Sequence, residues 1–481
     1  MARSTAANVG LIGGAQLFAA LANQIIIIVL AHFLKPSDFG TFAVCQVVIN
    51  LAISISGFGL EEAAIQTKKD PEKVVITAAN LRIVLACVAG ASVFVAAPFI
   101  TEFFSIGGAT LALQVLCISF ILSGLAFVPR IWLRRELRFG QLAISTIVNT
   151  VLWSTSALIL GVIGVGYWAL IAAFLIGITG SCVAVWLLRP SKIGLRLDRP
   201  ESRDLLRFGS FVMATSLVVF LLMNLDKIVV GRLLGSDKLG VYWIAFLYGT
   251  QPALFLTGVM TYVVFPEYAN ISKDMNRLRE KHKRILRYLA LVAIPVGVGM
   301  AGISPSFVEA LLGSEWSGAV LPLSILSIFG IFYAITSTSG VIFMSTNNTR
   351  QMFKQNIVML APFVVLLVPA VLAFDLAGIA VLFVGVIFVQ FIWVTRSISR
   401  ILSYSPLEDL KNVYELPLVA SLAMGFALLL LWEILGTSIL TLLLQLVLGF
   451  AVYSLVVIAA TKGGIIQEAR DIVRNVRHRT L

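Results

Sequence analysis

Long apolar stretches of helical span length dominate this chain and leave few folds open to it. We count about fourteen, each near the 20 residues that a helix needs to cross the hydrocarbon core of a bilayer; the first lies near 9–33 and the last near 438–460. The stretches are continuously apolar, whereas the strands of a membrane barrel are shorter and alternate apolar with polar residues. The sequence therefore predicts an all-α integral membrane protein.

Composition supports the same conclusion. Hydrophobic residues make up 59% of the 481 residues, charged residues make up 12%, and the mean hydropathy is +0.98, which leaves too little polar surface for a soluble globule. The net charge of +12 is dispersed over short loops, so it favours anionic lipid headgroups and not nucleic acid. The four cysteines lie in apolar stretches without metal-ligand spacing, and we predict no metal site.

The basic residues predict the orientation. Of the 36 Lys and Arg residues, 31 fall in alternate gaps between the apolar stretches, with the largest cluster between Lys273 and Arg287. Loops rich in Lys and Arg stay on the cytoplasmic side of a membrane. We therefore expect a multi-pass protein of a cytoplasmic membrane with both termini cytoplasmic, which requires an even number of crossings.

The chain also contains an internal repeat. At an offset of 200 residues, Gln24–Gly40 aligns with Asn224–Gly240, and near an offset of 205 Arg82 aligns with Arg287. Six predicted spans separate the copies, so both copies have the same orientation in the membrane. Parallel repeats of this kind predict a cavity between two helical bundles.

Several short motifs carry a family resemblance. They include KPSDFG at Lys35–Gly40, GFGLEEAAIQ at Gly57–Gln66, RRELRF at Arg134–Phe139, NLDKIVVGRLLG at Asn224–Gly235 and LGSEW at Leu312–Trp316. In their order and spacing, from about residue 5 to about residue 400, they resemble Wzx-like polysaccharide flippases of the multidrug/oligosaccharidyl-lipid/polysaccharide exporter superfamily. The resemblance implies two pseudo-symmetric six-helix bundles around a central cavity, plus two C-terminal helices. It also implies that undecaprenyl-diphosphate-linked oligosaccharide moves from the cytoplasmic to the periplasmic leaflet of a bacterial inner membrane by alternating access.

The repeat and the resemblance together predict the organisation of the chain. We expect a six-helix bundle at 1–190, a cytoplasmic amphipathic linker at 191–208, a second bundle at 209–400, two further helices at 401–460 and a basic cytoplasmic tail at 461–481. The expected partners are a polyprenyl-diphosphate-linked glycan, anionic lipids, and polysaccharide polymerase and assembly proteins. We expect a monomeric transporter that is not an enzyme and has no cofactor, coupled to H⁺, Na⁺ or the membrane potential.

Polar residues inside apolar spans are the candidates for the transport path, because a diphosphate and its sugars need a hydrated, partly cationic route across hydrocarbon. The substrate-cavity candidates are Asn23, Gln24, Arg82, Asn224, Asp226 and Lys227. Arg82 can pair bidentately with a diphosphate or extend to cytoplasmic headgroups. Lys227 or Asp226 can line the cavity; alternatively, Lys227 extends toward the periplasm while another helix neutralises Asp226. The three amide side chains suit either sugar hydroxyls or contacts between helices.

Two smaller groups of candidates complete this set. His32, Arg232 and Arg287 lie near predicted span ends, where they can form the mouth of the cavity or anchor the interface. The ion-coupling candidates are Glu61, Glu62 and Asp226. Glu61 and Glu62 also suit a solvated helix end.

Two other functions remain open at this stage. A membrane glycan polymerase or ligase normally has a sizeable outer loop with catalytic residues, but the longest outer loop here is only about a dozen residues, near Glu309–Ser317. A drug/cation antiporter would share the fold and the repeat, and buried carboxylates would distinguish it; only Asp226 is deeply placed here. The sequence has no P-loop and no HExxH motif, which disfavours an ATPase or a zinc enzyme.

Overall fold

The structure, a computed structural model, is helical and has no strand in the part of the chain that it describes: residues 2–66, 70–191, 198–271, 274–346, 348–406, 410–462 and 464. The helices are α1 Ala2–Leu30, α2 Pro36–Gly57, α3 Leu60–Gln66, α4 Pro71–Phe103, α5 Thr110–Leu116, α6 Ile118–Leu125, α7 Phe127–Arg135, α8 Phe139–Ile163, α9 Trp168–Leu188, α10 Arg199–Ile271, α11 Met275–Leu311, α12 Val320–Thr336, α13 Ser339–Ser345, α14 Thr349–Ile401, α15 Glu415–Leu435 and α16 Ile439–Ala460. Short 3₁₀-helices at Gly107–Ala109 and Ser314–Ala319 precede α5 and α12, and a π-helical turn at Leu410–Tyr414 precedes α15.

The membrane spans confirm the all-α membrane fold. Within the described residues, 12 helical segments are long and apolar enough to cross a bilayer. Two of them contain a break: α10 at Gly235, with φ 85°, and α14 at Phe374 and Asp375, where Asp375 has φ 55°. Each of these two segments therefore holds two consecutive spans, which is compatible with the predicted number of about fourteen.

Local sequence signals explain where several helices begin. In the KPSDFG motif, Pro36 opens α2 and the Asp38 carboxylate accepts a hydrogen bond from the Lys35 backbone N–H at 3.0 Å. Pro71 opens α4 in the same way, and the Asp70 carboxylate accepts from the Glu72 N–H at 3.2 Å. Proline fits the first turn of a helix, and a carboxylate there satisfies an otherwise unpaired N–H. The motif is thus a helix start between two spans.

By packing, the chain divides into residues 1–240 and 241–481. In the first unit, Leu205 of α10 joins a core cluster with Leu60, Val75 and Ile131, so the start of α10 packs with the preceding helices. The predicted domain boundaries follow the internal repeat and remain predictions. Residues 192–197 of the predicted linker, and residues 463 and 465–481 of the predicted tail, lie outside the described residues.

A reciprocal glycine contact within the first unit agrees with the internal repeat. A Cβ atom on Gly40 would collide with the carbonyl oxygen of Ser236, and one on Gly240 would collide with that of Pro36. Each pair is related by the same offset of 200 residues. Only glycine allows two backbones to approach so closely, so the two copies of this motif contact each other through equivalent positions.

The last two helices belong to the second unit. Met424 and Leu428 of α15 and Leu442 of α16 form a core cluster with Ile303 of α11. The Tyr453 hydroxyl of α16 donates a hydrogen bond to the Leu291 carbonyl at 2.7 Å. Both helices are therefore anchored on α11.

The glycine contact leads to a stability prediction. The Gly40→Ala variant should unfold at a lower temperature, by a loss of about 1–3 kcal/mol, because the added methyl group would meet backbone that cannot rotate away. Thermal unfolding of the purified protein in detergent would measure the change.

Gly13→Ala is the matched control, because no atom lies within 4 Å of a Cβ at that helical position. This control should be neutral or stabilising, by up to about 1 kcal/mol. Equal unfolding temperatures for the Gly40→Ala variant and the unsubstituted protein would contradict the described contact.

Candidate functional site

Arg82 is a buried cation inside an apolar helix. It lies about 16 Å along α4, at ~1.5 Å per residue from Pro71, and only 7% of its surface is exposed. Its guanidinium donates hydrogen bonds to the Ser56 hydroxyl at 3.2 Å, the Ile53 carbonyl at 3.4 Å and the Ser123 hydroxyl at 3.5 Å. The side chain therefore points to α2 and α6 in the interior of its own unit.

The end of α2 creates the space for this guanidinium. The helix stops at Gly57, and Phe58 and Gly59 then take left-handed backbone conformations, with φ of 48° and 61°. A Cβ at position 57 would lie 3.2 Å from Arg82 Nη1. The Ile53 carbonyl, near the negative end of the α2 dipole, accepts from the Ser56 hydroxyl at 3.2 Å as well as from Arg82.

More cations surround Arg82 than one carboxylate can neutralise. Glu61 of α3 forms an ion pair with Arg134 of α7 at 2.8 Å, a close contact of charges and not an aligned hydrogen bond. The Glu61 carboxylate also interacts electrostatically with Arg82 and Arg130. We call Arg82, Arg130, Arg134 and Glu61 the Arg82 cluster; it holds three cations and one anion.

Helix α7 keeps α3 in position beside the cluster. Arg135 donates to the Ala64 carbonyl at 2.6 Å and thereby satisfies an acceptor near the end of α3. Ile131 and Val128 of α7 pack in the same core as Leu60 of α3. The stretch from Pro129 therefore presents its apolar side to the protein and its arginines to the cluster.

Asp226 and Lys227 form a second buried charged site. Asp226 is fully buried and the Lys227 side chain is only 10% exposed, and Lys227 Nζ lies 3.5 Å from Asp226 Oδ1. The ammonium group also donates to the Met223 carbonyl at 2.6 Å. Met223 precedes Lys227 by one helical turn, so the side chain lies back along α10, away from the predicted periplasmic end.

The amide candidates are half-buried. Asn224 Nδ2 donates to the Phe220 carbonyl at 3.0 Å within its own helix, which leaves its oxygen side as an acceptor. Asn23 and Gln24 are neighbours in α1 and are half-buried as well. Asn224 is two residues from Asp226 and extends the polar stretch of α10.

The remaining candidates are more exposed. His32 Nδ1 lies 3.1 Å from the Ile28 carbonyl, and the exposed Arg232 guanidinium lies 5.0 Å above the Phe103 ring. Glu62 is exposed, unlike Glu61, and the half-buried Arg287 belongs to the second unit. The structure thus brings together Arg82 with Glu61, and Asp226 with Lys227.

The sequence candidates do not include Arg130 and Arg134, which lie on α7 beside Glu61, or the Ser56 and Ser123 hydroxyls that accept from Arg82. Val128 and Ile131, three residues apart and packed in one core, were the available signal that this arginine-rich stretch is a helix. In the described part of the chain, no three or more His, Cys, Asp or Glu side chains form a group that could hold a metal ion.

Comparison of the sequence with known proteins identifies its family. The family model described as "Polysaccharide biosynthesis protein" matches residues 29–321. The chain belongs to this family. The part of this polysaccharide biosynthesis protein that matches the model includes the whole Arg82 cluster and both Asp226 and Lys227.

Named relatives and a solved structure agree with this family. The protein is 26% identical over 387 residues to lipopolysaccharide biosynthesis protein WzxC of Escherichia coli (strain K12), covering 78% of this chain and 75% of WzxC. It is 26% identical over 313 residues to teichuronic acid biosynthesis protein TuaB of Bacillus subtilis (strain 168), covering 62% of this chain and 61% of TuaB. Its fold is similar to the lipid II flippase MurJ in an inward closed conformation, with a TM-score of 0.78 and 15% identity, covering 95% of this chain and 99% of MurJ.

The buried pair leads to a prediction about stability. Asp226→Asn or Lys227→Gln alone should destabilise the protein by about 3 kcal/mol or more, because each removes one partner of a close, buried ion pair. The double variant Asp226→Asn/Lys227→Gln should recover part of that loss, since no net charge then remains. A double-mutant cycle of unfolding free energies in detergent would measure the coupling.

Lys73→Gln provides the control, because Lys73 forms an exposed pair with Asp70 at 3.6 Å. Its loss should change stability by less than about 1 kcal/mol. Strictly additive effects of the two buried substitutions would show that Asp226 and Lys227 do not stabilise each other.

Proposed function

We propose that this polysaccharide biosynthesis protein is a flippase for undecaprenyl-diphosphate-linked oligosaccharide. In this proposal it moves the lipid from the cytoplasmic to the periplasmic leaflet of a bacterial inner membrane, with both termini cytoplasmic. Its polar path opens to one leaflet at a time. The main support is the Arg82 cluster, a buried arginine with two further arginines and only one carboxylate beside it, in a member of a family named for polysaccharide biosynthesis.

The chemistry of the substrate explains why such a cluster is useful. A diphosphate loses its hydration in an apolar environment, and that loss costs many kcal/mol unless cations and hydrogen-bond donors replace the water. A guanidinium has five N–H donors in a planar fork that suits phosphate oxygens. Three hydrogen bonds to Ser56, Ile53 and Ser123 orient Arg82. The ligand therefore does not have to order this side chain itself.

The acceptors of Arg82 matter as much as its position. Two hydroxyls and a carbonyl hold the guanidinium without cancelling its charge, in contrast to a direct carboxylate pair. Glu61 offsets only part of the positive charge, and its 2.8 Å ion pair is with Arg134. The charge of Arg82 is therefore not cancelled by a direct carboxylate partner, and an anion that reached it would be stabilised.

Asp226 and Lys227 suit a role in coupling transport to an ion gradient. In the described geometry the ammonium group neutralises the carboxylate. A proton or Na⁺ that bound Asp226 would replace Lys227 as the counter-ion and release the ammonium group toward the path. This step would connect H⁺, Na⁺ or the membrane potential to movement of the substrate.

Reconstitution tests the proposed function directly. Vesicles that contain the purified protein and a fluorescent polyprenyl-diphosphate glycan should move the label to the far leaflet faster than protein-free vesicles. Quenching of the outward-facing label by a membrane-impermeant reagent would measure the rate. The proposal fails if the rates are equal with no gradient, with a pH or Na⁺ gradient, and with a membrane potential.

Substitutions at Arg82 then test the cluster. Arg82→Gln should lower the rate about tenfold or more, because the charged fork that binds the diphosphate is lost, and Arg82→Lys should retain part of the activity. Lys73→Gln is the matched control, since Lys73 is an exposed cation on the same helix. If a folded Arg82→Gln protein transported as fast as the Lys73→Gln control, Arg82 would have only a structural role.

A further inference from the structure

The second unit contains a separate basic cleft. It is an open cavity of about 910 Å³ where the first turns of α11 meet the end of α14 and the following turn. Four cations line it: Arg279 and Lys283 from α11, and Arg396 and Arg400 from α14. We call these four residues and the cavity the basic cleft.

The cations that line the cleft form two pairs, one on α11 and one on α14. Arg279 and Lys283 are four residues apart on one helix, as are Arg396 and Arg400 on the other, and residues at this spacing share a helix face. Glu280 is the one acidic residue among the described residues that line the cavity. The cleft therefore has an excess of positive charge on two facing walls.

Contacts with the turn after α14 hold the α11 cations in place. Arg279 Nη1 donates to the Ser403 carbonyl at 3.3 Å, and Lys283 Nζ lies 4.7 Å above the Tyr404 ring. Ser403 has a left-handed backbone conformation with φ 54°, and the Tyr404 N–H donates to the Ser399 carbonyl at 3.0 Å. The wall formed by this turn is thus ordered before any ligand arrives.

The α11 cations form a hydrogen bond or a ring contact with the turn after α14, whereas the α14 cations do not. Arg396 and Arg400 are exposed, and their side chains form no ion pair or hydrogen bond with any residue that the structure describes. Ser399, Ser403 and Ser405 lie in the same lining. The cleft therefore presents two guanidinium groups that no described side chain engages.

Repulsion between like charges also favours an anion at this position. Arg279 and Lys283 are four residues apart on α11, and like charges at this spacing repel each other. A bound anion would offset that repulsion.

We propose that the basic cleft is a binding site for a diphosphate group. Two pairs of cations on opposite walls match two linked phosphates, and arginine forks bind phosphate oxygens bidentately. The volume is within the range of ligand pockets and has room for a substituent on the diphosphate. The group can come from a prenyl diphosphate lipid or from a free diphosphate. This site goes beyond the proposed transport function, because its occupancy does not require translocation.

Binding measurements on the full-length protein in detergent test this site. The Arg82→Gln protein is used as the background, so that the Arg82 guanidinium does not contribute. Isothermal titration with inorganic pyrophosphate, farnesyl diphosphate and orthophosphate would compare two linked phosphates with one. We expect both diphosphates to bind about tenfold or more tightly than orthophosphate, because each lost charged hydrogen bond weakens binding by about this factor.

Substitution of the two α14 arginines tests whether diphosphate binds in the basic cleft. Arg396→Gln/Arg400→Gln should weaken diphosphate binding about tenfold or more, whereas Arg396→Lys/Arg400→Lys should weaken it less because the charge remains. Arg284→Gln/Arg350→Gln is the matched control, since both arginines are exposed cations of the second unit outside the lining of the cleft. This control should bind diphosphate as the background does.

Comparison of farnesyl diphosphate with pyrophosphate distinguishes a lipid diphosphate ligand from a free diphosphate. Tighter binding of farnesyl diphosphate than of pyrophosphate assigns a lipid ligand, and equal or weaker binding assigns a free diphosphate. The proposal is overturned if orthophosphate binds as tightly as either diphosphate. It is also overturned if the Arg396→Gln/Arg400→Gln protein binds as tightly as the control. Both outcomes are independent of the vesicle assay, so either proposal can fail alone.

Discussion

The structure depends on one constraint: a polar group within hydrocarbon needs a partner supplied by the protein. Helices satisfy this need for the backbone, and the charged side chains inside the spans satisfy it by specific contacts. Arg82 uses two hydroxyls and a helix-end carbonyl, and Lys227 uses its neighbour Asp226 and the Met223 carbonyl. The burial of these cations is therefore tied to the packing of particular helices, and the packing positions the charges.

Much of the fold was predictable, because span length and apolar character are local properties of the sequence. The all-α membrane class follows from them, and the long segments α10 and α14 show breaks at Gly235 and Asp375 that fit the predicted pairs of spans. The candidate site was only partly predictable. Arg82 was recognisable as a cation within a span, but its partners Ser56 and Ser123 lie 26 and 41 residues away. Single serines on apolar helices carry no sequence signal for such a contact.

The internal repeat shows how much sequence detail a membrane fold retains. Apolar side chains that face lipid or the core exchange easily, whereas a backbone contact such as that between Gly40 and Gly240 tolerates no side chain. Gly40 and Gly240 are one of the four identical pairs in the alignment at an offset of 200 residues. The likeness to MurJ at 15% identity is consistent with a helical framework that persists while most side chains change.

The composition of the Arg82 cluster has an electrical consequence. Three arginines and Glu61 leave an excess of two positive charges, and a lipid-linked diphosphate diester carries about two negative ones. Under the proposed transport function, binding of such a diphosphate would leave the cluster close to neutral. A voltage across the membrane would then act mainly on the unloaded protein.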